Sequence, residues 1–395
     1  MKNLVVSLLI ISVISVIGFA LVSQAGSEPT ARRIIVFKPG VEELEKEALV
    51  NTVGGTEIKH LRLINGKAAL LSKSAEETLL KDPAVSRIDD DVEVFALARP
   101  IKIEAKPKSQ PAQVLPWGVD RIDAELAWAT TTANPIKVAI IDTGIDVKHP
   151  DLKDNIKGGV STVWYTTSYN DDNGHGSHVA GIAAALDNTI GVIGVGPQID
   201  LYSVKVLDRR GSGYLSDVIE GLDWVITNGM DVVNMSLGTT DNILSFQEAV
   251  QRVNAAGIVQ VAAAGNSGGA VIYPAAYPEV IAVSATDNTN TIASWSSRGP
   301  EVDLAAPGVS IYSTYKGQSY KTLSGTSMAS PHVAGSAALV LSTPISAAYD
   351  TDSDGIWDPN EAQKKLQDRT IDLGEIGFDN LYGWGLVNAY NAVQP

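Results

Sequence analysis

Cysteine is absent from this chain of 395 residues. That one absence excludes disulfides, thiolate metal sites and cysteine nucleophiles. Basic residues are in deficit: 30 Lys and Arg stand against 45 Asp and Glu, a formal net charge of -15. Nucleic-acid recognition usually shows basic patches, so that partner class is not expected. Acidic balance suits solubility or cation binding and says nothing about a fold. Charged residues make up only 19% of the chain, against 45% hydrophobic ones. Wholesale disorder is thereby excluded, and a large core in two or three domains is allowed.

The chain opens MKNLVVSLLIISVISVIGFALVSQAGS. A lysine, an unbroken apolar run and small residues are the layout of a secretory signal peptide over 1–25, cleaved after Ala25. The run from Leu4 to Val22 is also long enough to span a bilayer, so an uncleaved anchor is the alternative. Either reading sends the remainder out of the cytoplasm, and the first makes the protein secreted and extracellular.

From Ala31 to about Leu97 the pattern reads β-α-β-β-α-β. RRIIVFK, TEIKHLRLI, KAALLS and VSRIDDDVEVFAL are strands, while VEELEKEALVNTVG and AEETLLKDP are helices. This is the split-βαβ layout of a small ferredoxin-like α+β domain over 26–97. Residues 98–111, ARPIKIEAKPKSQP, are rich in Pro and Lys and read as a linker. From 112 to 395, short apolar strands alternate with helical segments. The expectation is an α/β domain with a three-layer, mainly parallel sheet and helices on both faces.

In such sheets, sites form outside the carboxyl ends of the strands. The polar residues sent there are Asp142 in IIDTG, Ser236 to Gly238 in NMSLG and Asn266 in AAAGN. His175 opens the helix after Asp142. Ser327 opens a late helix, in LSGTSMASPHVAG, among residues too small to pack much. Thr326 as an N-cap and Pro331 as a helix-start signal would account for that stretch in a bland way. A chemical account is that small neighbours let a carbonyl approach the Ser327 hydroxyl. A serine needs a base held in one tautomer, and His175 and Asp142 supply these. Asn266 offers an amide to the developing oxyanion, beside the free N–H and positive dipole at a helix start.

DTGID, GHGSHVAG, AAGN and GTSMASPHVAG together resemble, in kind and order, the four signature segments of the subtilisin-like serine proteases. The triad order and the asparagine donor are carried over from that family. The resemblance spans nearly all of 112–395 and implies a serine endopeptidase acting on polypeptides, a monomer. It makes the amino-terminal domain a propeptide, both intramolecular chaperone and inhibitor. Aspartic-protease chemistry would need a second aspartate motif, which is missing. Zinc chemistry of the HExxH type needs a wider spacing than that of His175 and His178. His178 and His332 are read as structural. An esterase would need a GxSxG elbow around Ser327; an idle, calcium-dependent binding relative would have no need of all four residues.

The resemblance also implies that a peptide binds as an added strand between Gly211, Ser212, Gly213, Tyr214 and Leu215 on one side and Ser236, Leu237 and Gly238 on the other. Ile272, before Tyr273 and Pro274, stands where the family often has a glycine at the pocket floor. A shallower pocket that disfavours large aromatic side chains follows. Maturation is expected by self-cleavage after Leu97, with cleavage near Ala112 as the alternative.

DTDSDGIWDPNE, residues 350–361, fits the loop template D-x-D-x-D-G-x5-E. Structural Ca2+ would be held by Asp350, Asp352, Asp354, the Ile356 carbonyl, Asp358 and Glu361, with Gly355 allowing the sharp turn. The resemblance implies a second Ca2+ site: the side chains of Gln113, Asp151 and Asn188 and the carbonyls of Leu186, Ile190 and Val192. In a chain without disulfides, such ions would stabilise the folded state.

Overall fold

The computed structural model describes residues 28–97, the backbone of 99–100, and 109–395. The expected signal peptide and most of the linker lie outside the described residues. The amino-terminal unit comprises β1 (Thr30–Phe37), α1 (Glu43–Thr52), β2 (Thr56–Leu61), β3 (Gly66–Ser72), α2 (Lys73–Leu79) and β4 (Val85–Asp90). Its antiparallel sheet has the order β2-β3-β1-β4. Period-two alternation in β1 sends Ile35 and Phe37 to one face, where they meet Val50, Leu71 and Leu79 under the helices. Ile34 and Val36 face the other way and enter a core shared with the large domain.

The expected last strand of this unit is broken. The chain leaves the sheet after Asp90, and Glu93–Ala96 form a separate strand, β5. Asp91 causes the departure: its carboxylate accepts the backbone N–H and the hydroxyl of Ser216, both at 2.8 Å. The linker is also more ordered than its composition suggests, since Arg99–Pro100 form a short strand, β6.

The large domain begins with two short helices, α3 (Trp117–Arg121) and α4 (Ala124–Ala127). There follow β7 (Lys137–Asp142), β8 (Ile156–Ser161), α5 (His175–Ala184), β9 (Asp200–Lys205), β10 (Ser212–Tyr214), α6 (Leu215–Thr227), β11 (Val232–Met235) and β12 (Leu237–Gly238). The rest is α7 (Leu244–Ala255), β13 (Val259–Ala263), β14 (Ile281–Thr286), β15 (Leu304–Pro307), β16 (Ile311–Tyr315), β17 (Ser319–Ser324), α8 (Thr326–Leu341), α9 (Pro359–Asp368) and α10 (Ala389–Val393). Seven strands form one sheet in the order β15-β14-β13-β11-β7-β9-β8, and every neighbouring pair is parallel.

Both faces of this sheet are covered, which is why its strands read as continuous apolar runs. Val138 and Ile140 of β7 pack with α5 and α8, whereas Ala139 and Ile141 pack with α6 and α7. The result is the expected three-layer α/β architecture. The second core continues into the amino-terminal unit through Ile34, Leu61 and Ile64. Lys59 reinforces that contact with a bond to the Thr162 carbonyl at 2.7 Å and ion pairs to Asp217 and Glu220.

Helix α8 is buried along 326–340, so it is apolar or small on every side. It starts one residue earlier than the sequence suggests: Gly325 is the N-cap and Thr326 the first helical residue. Pro331 lies inside the helix and does not start it. Proline has no N–H, so the Ser327 carbonyl four residues earlier loses its intrahelical donor. The Ser236 hydroxyl takes that place at 3.0 Å.

Candidate active site

Three parallel strands, β7, β11 and β13, end on the same edge of the sheet. Asp142 is the last residue of β7, Ser236 follows β11, and Asn266 comes three residues after β13. Helix α5 brings His175 to Asp142 because Gly176 lets it approach closely. A Cβ on Gly176 would lie 2.1 Å from the Gly144 carbonyl oxygen and 3.1 Å from Cβ of Asp142.

His175 Nδ1 lies 2.8 Å from both carboxylate oxygens of Asp142. Asp142 is fully buried and His175 is 4% exposed, so the pair is shielded from solvent. An N–H on Nδ1 facing a carboxylate leaves Nε2 as the basic nitrogen. That Nε2 is buried and has no hydrogen-bond partner among the described residues. Around the pair, the Thr143 hydroxyl accepts the N–H of Gly176 at 2.9 Å and donates to Asp171 at 3.0 Å. Asp171 also accepts the N–H groups of Asn173, Gly174 and Ser177, which fixes the turn entering α5. Burial pushes the Asp171 carboxyl up.

Ser327 is fully buried in the first turn of α8. Its hydroxyl donates to the Ser236 carbonyl at 3.0 Å, so the two serines are bonded reciprocally. The Asn266 side chain is held by one end. Its Oδ1 accepts both the N–H and the hydroxyl of Thr326 at 3.0 Å. Its Nδ2 is thereby aimed outward and donates to the carbonyl oxygen of Leu97 at 2.7 Å.

Leu97 arrives there because β5 is the middle strand of a three-stranded antiparallel sheet, between β10 and β12. Ser212, Gly213 and Tyr214 face Phe95, Val94 and Glu93, while Leu237 and Gly238 face Ala96 and Phe95. The N–H of Ala96 donates to the Gly211 carbonyl at 2.9 Å, and that of Leu97 to the Ser236 carbonyl at 3.2 Å. Beyond this point the backbone of β6 pairs with β17, Pro100 opposite Leu323 and Arg99 opposite Ser324. The chain thus runs across the site in an extended form. Ile272 lies at the cleft wall: a Cβ on Gly238 would meet its Cδ1 at 2.7 Å, and one on Gly265 its Cγ1 at 3.4 Å.

Of the histidines read as structural, His178 bonds the carbonyls of Ile311 and Lys321, and His332 that of Met328. Burial pushes them down to about 3 and about 4. Thr143 and Asp171 were not singled out in the sequence, and Thr326 was read there only as an N-cap. Only their adjacency to Asp142, to GHG and to Ser327 could have drawn attention to them.

Among the acidic loop residues, Asp350, Asp352 and Glu361 come together, with carboxylate oxygens within 4.8 Å of one another. Gly355 has a φ of 78°, as the turn demands. Asp354 and Asp358 are outside that cluster. The Asp354 carboxylate accepts the Ile356 N–H at 2.7 Å, and Asp358 caps α9 by accepting the Glu361 N–H at 2.9 Å. In the other loop, Asp151 is fully buried and accepts from Val192 N–H and the Asn188 amide. Gln113 Oε1 accepts the N–H of Asn188 at 2.7 Å, and Asn188 Oδ1 that of Ile190 at 2.7 Å. Leu186 donates its N–H to the Asp151 carbonyl at 3.0 Å. Three close carboxylates, and a buried carboxylate with no cationic side chain beside it among the described residues, are both donor sets that suit a hard cation.

A model described as the subtilase family matches residues 133–385. A thermostable alkaline protease of Halalkalibacterium halodurans is 42% identical over 372 residues, covering 94% of each chain. Subtilisin E of Bacillus subtilis is 40% identical over 407 aligned positions, covering 100% of this chain and 99% of the relative. An alkaline protease of Alkalihalobacillus alcalophilus is 44% identical over 326 residues, 82% of this chain and 78% of that one. With family signature, fold and strand-end geometry in agreement, the chain belongs to the subtilase family and is a serine endopeptidase of the subtilisin type.

Proposed function

We propose that the protein is a secreted endopeptidase made as a zymogen, which cuts itself after Leu97 and is stabilised by calcium. The observation that carries this reading is the 2.7 Å hydrogen bond from Asn266 to the Leu97 carbonyl oxygen, where an oxyanion would develop.

In this reading Ser327 is the nucleophile, His175 the base, Asp142 its orienting partner and Asn266 the oxyanion donor. The Ser327 hydroxyl leaves the Ser236 carbonyl, gives its proton to His175 Nε2 and bonds the carbonyl carbon. Nε2 then passes that proton to the leaving nitrogen as the C–N bond breaks, leaving an acyl ester on Ser327. Water attacks the ester and gives a proton to Nε2, which returns it to the Ser327 oxygen as the ester C–O bond breaks and the carboxylic acid product leaves. Substrates bind as β5 does, by backbone bonds that depend little on sequence. Ile272 shortens the pocket for the side chain before the cut bond, which favours Leu or Ala over Phe.

The amino-terminal unit would act as folding aid and inhibitor. In support, Asp91 and Asp89 bind the first turns of α6 and α7 through Ser216 and Ser245. Helix starts carry unsatisfied N–H groups, so an attached carboxylate stabilises them. Calcium would be held by Asp350, Asp352 and Glu361 with the Ile356 carbonyl, and by Asp151, Gln113 and Asn188 with loop carbonyls. It would supply stability and no catalytic step. Among the described residues no helix is long and apolar enough to cross a membrane. Export rests on the first 25 residues, and cleavage near Ala112 in place of the cut after Leu97 is the alternative.

The test is incubation of the purified protein with casein and with a serine-directed fluorophosphonate, beside Ser327→Ala. Labelling and casein loss confined to the parent support the reading. A labelled, casein-cleaving Ser327→Ala protein contradicts it. Amino-terminal sequencing of the matured chain should begin at Ala98.

A further inference from the structure

We propose that the cavity beside Ala96 is a cationic subsite that selects an acidic side chain at the second residue before the cut bond. This rests on the proposed cut after Leu97.

The cavity has a volume of about 340 Å³ and is bounded by Ala96, His175, Asn173, Tyr315, Arg210 and Lys321, among others. Ala96 ends at Cβ and leaves the space beside it open. Gly211 adds room, since a Cβ there would lie only 3.4 Å from that of Ala96. Among the described residues the charged groups of the lining are both cations, and no carboxylate borders it. In a chain of net charge -15, two cations facing one cavity without a facing acid are against the general balance.

Lys321 is not consumed elsewhere, and Arg210 only in part. Lys321 Nζ sits 4.5 Å over the Tyr315 ring and pairs with no carboxylate among the described residues. Tyr315 is itself pinned by a bond to the Asn173 carbonyl at 3.1 Å, which fixes the ring under the ammonium. Arg210 is bound to Asp208 through Nε at 3.0 Å. Its two terminal nitrogens have no acceptor among the described residues. Asp208 borders a neighbouring cavity, with Glu93 and Asp217, which Arg210 lines as well, so Asp208 reduces the charge of Arg210 without lining the subsite. A carboxylate on a longer side chain in place of Ala96 would enter a cavity lined by both cations, where charge-assisted donors favour it. A lysine there would meet two like charges. The protein's own tail carries alanine and forgoes this contact, so an acidic substrate displaces it more readily.

The test is a matched series, Ala-Ala-Xaa-Leu-p-nitroanilide, with Xaa as Ala, Gln, Glu or Lys, assayed on the matured enzyme. At low salt kcat/KM for Glu should exceed that for Lys by about 10-fold or more, and about 0.5 M salt should shrink the ratio several-fold, since exposed charges are screened. In Arg210→Ser/Lys321→Gln the ratio should fall to about 2 or less, because the like-charge and opposite-charge contacts are gone. A parent ratio near unity overturns the proposal, as does a ratio that survives the double substitution. So does an acid preference found only when Glu is moved to the residue after the cut bond, read with internally quenched peptides. If no peptide, the Ala member included, is turned over in a Ser327-dependent way, the protease reading falls and this proposal with it.

Discussion

The side-chain nitrogen of Asn266 lies 2.7 Å from the carbonyl oxygen of Leu97, while its side-chain oxygen is tied to Thr326. One amide thus has a fixed end and a working end. Asn266→Ala should lower kcat by about 10²–10³ with KM little changed, as for other single oxyanion donors. Thr326→Val removes the hydroxyl that also accepts the Gly265 N–H at 3.1 Å, and should cost roughly 10-fold by loosening that amide. A Thr326→Val enzyme with unaltered kcat would show that Asn266 needs no such anchor.

Ile272 occupies the space facing Gly238 and Gly265. Ile272→Gly should raise kcat/KM for Phe before the cut bond relative to Ala by about 10-fold or more, because a methylene group in such a pocket is worth about 1–3 kcal/mol. A parent enzyme already faster on Phe than on Leu or Ala would remove the basis for this expectation.

Asp91 is 5% exposed and joins Arg32 to the start of α6. Its removal would leave the half-buried Arg32 guanidinium with Glu57 as its carboxylate partner and take the carboxylate from the start of α6. Asp91→Ala in the full chain should therefore slow maturation, read as accumulation of uncut precursor on gels. Maturation at the parent rate would mean that apolar contacts through Ile34 and Leu61 suffice.

Calcium chelation should lower the melting temperature, since an ion bound only by the folded state stabilises it by about 2.7 kcal/mol at 100 times its dissociation constant. Asp352→Asn touches the acidic loop alone and should shrink, without abolishing, the difference between calcium and chelator. Identical melts in calcium and chelator for the parent protein would count against both loops.

His178 and His332 are buried neutral, and burial lowers both below the ordinary 6.5, to about 3 and about 4. On unfolding they regain ordinary basicity, so the unfolded chain takes up protons first as pH falls. Their stabilisation is complete above about 6.5 and fades between there and their folded values. Asp303, pushed up to about 6 by burial, acts in the opposite sense, since the folded state holds its proton longer. Thermal melts at pH 7 and pH 5 should show a smaller loss in His332→Gln than in the parent. An equal loss in both would exclude His332 as a contributor.

Local pattern settled much of this molecule. Apolar runs with period-two alternation in β1 and continuous runs in β7 and β13 follow from which faces each strand must bury. Asp142, His175, Asn266 and Ser327 could be picked out because each sits in a short segment of small residues at a strand end or helix start. The acidic loop was legible because its spacing is a property of one continuous stretch. What the sequence could not disclose depends on residues that meet only after the chain has folded. Asp91 meets Ser216, and Leu97 meets Ser236 and Asn266, only across the fold, and the break of the expected last strand comes with those contacts. The filling of the cleft by residues 93–97, the reciprocal bonds of Ser236 and Ser327, and the grip of Thr326 on Asn266 are of the same kind. So is the convergence of Arg210 and Lys321 on one cavity. A hydrogen bond or a shared charge field is fixed by distance in space, and separations of 91 or 169 residues leave no periodic trace along the chain.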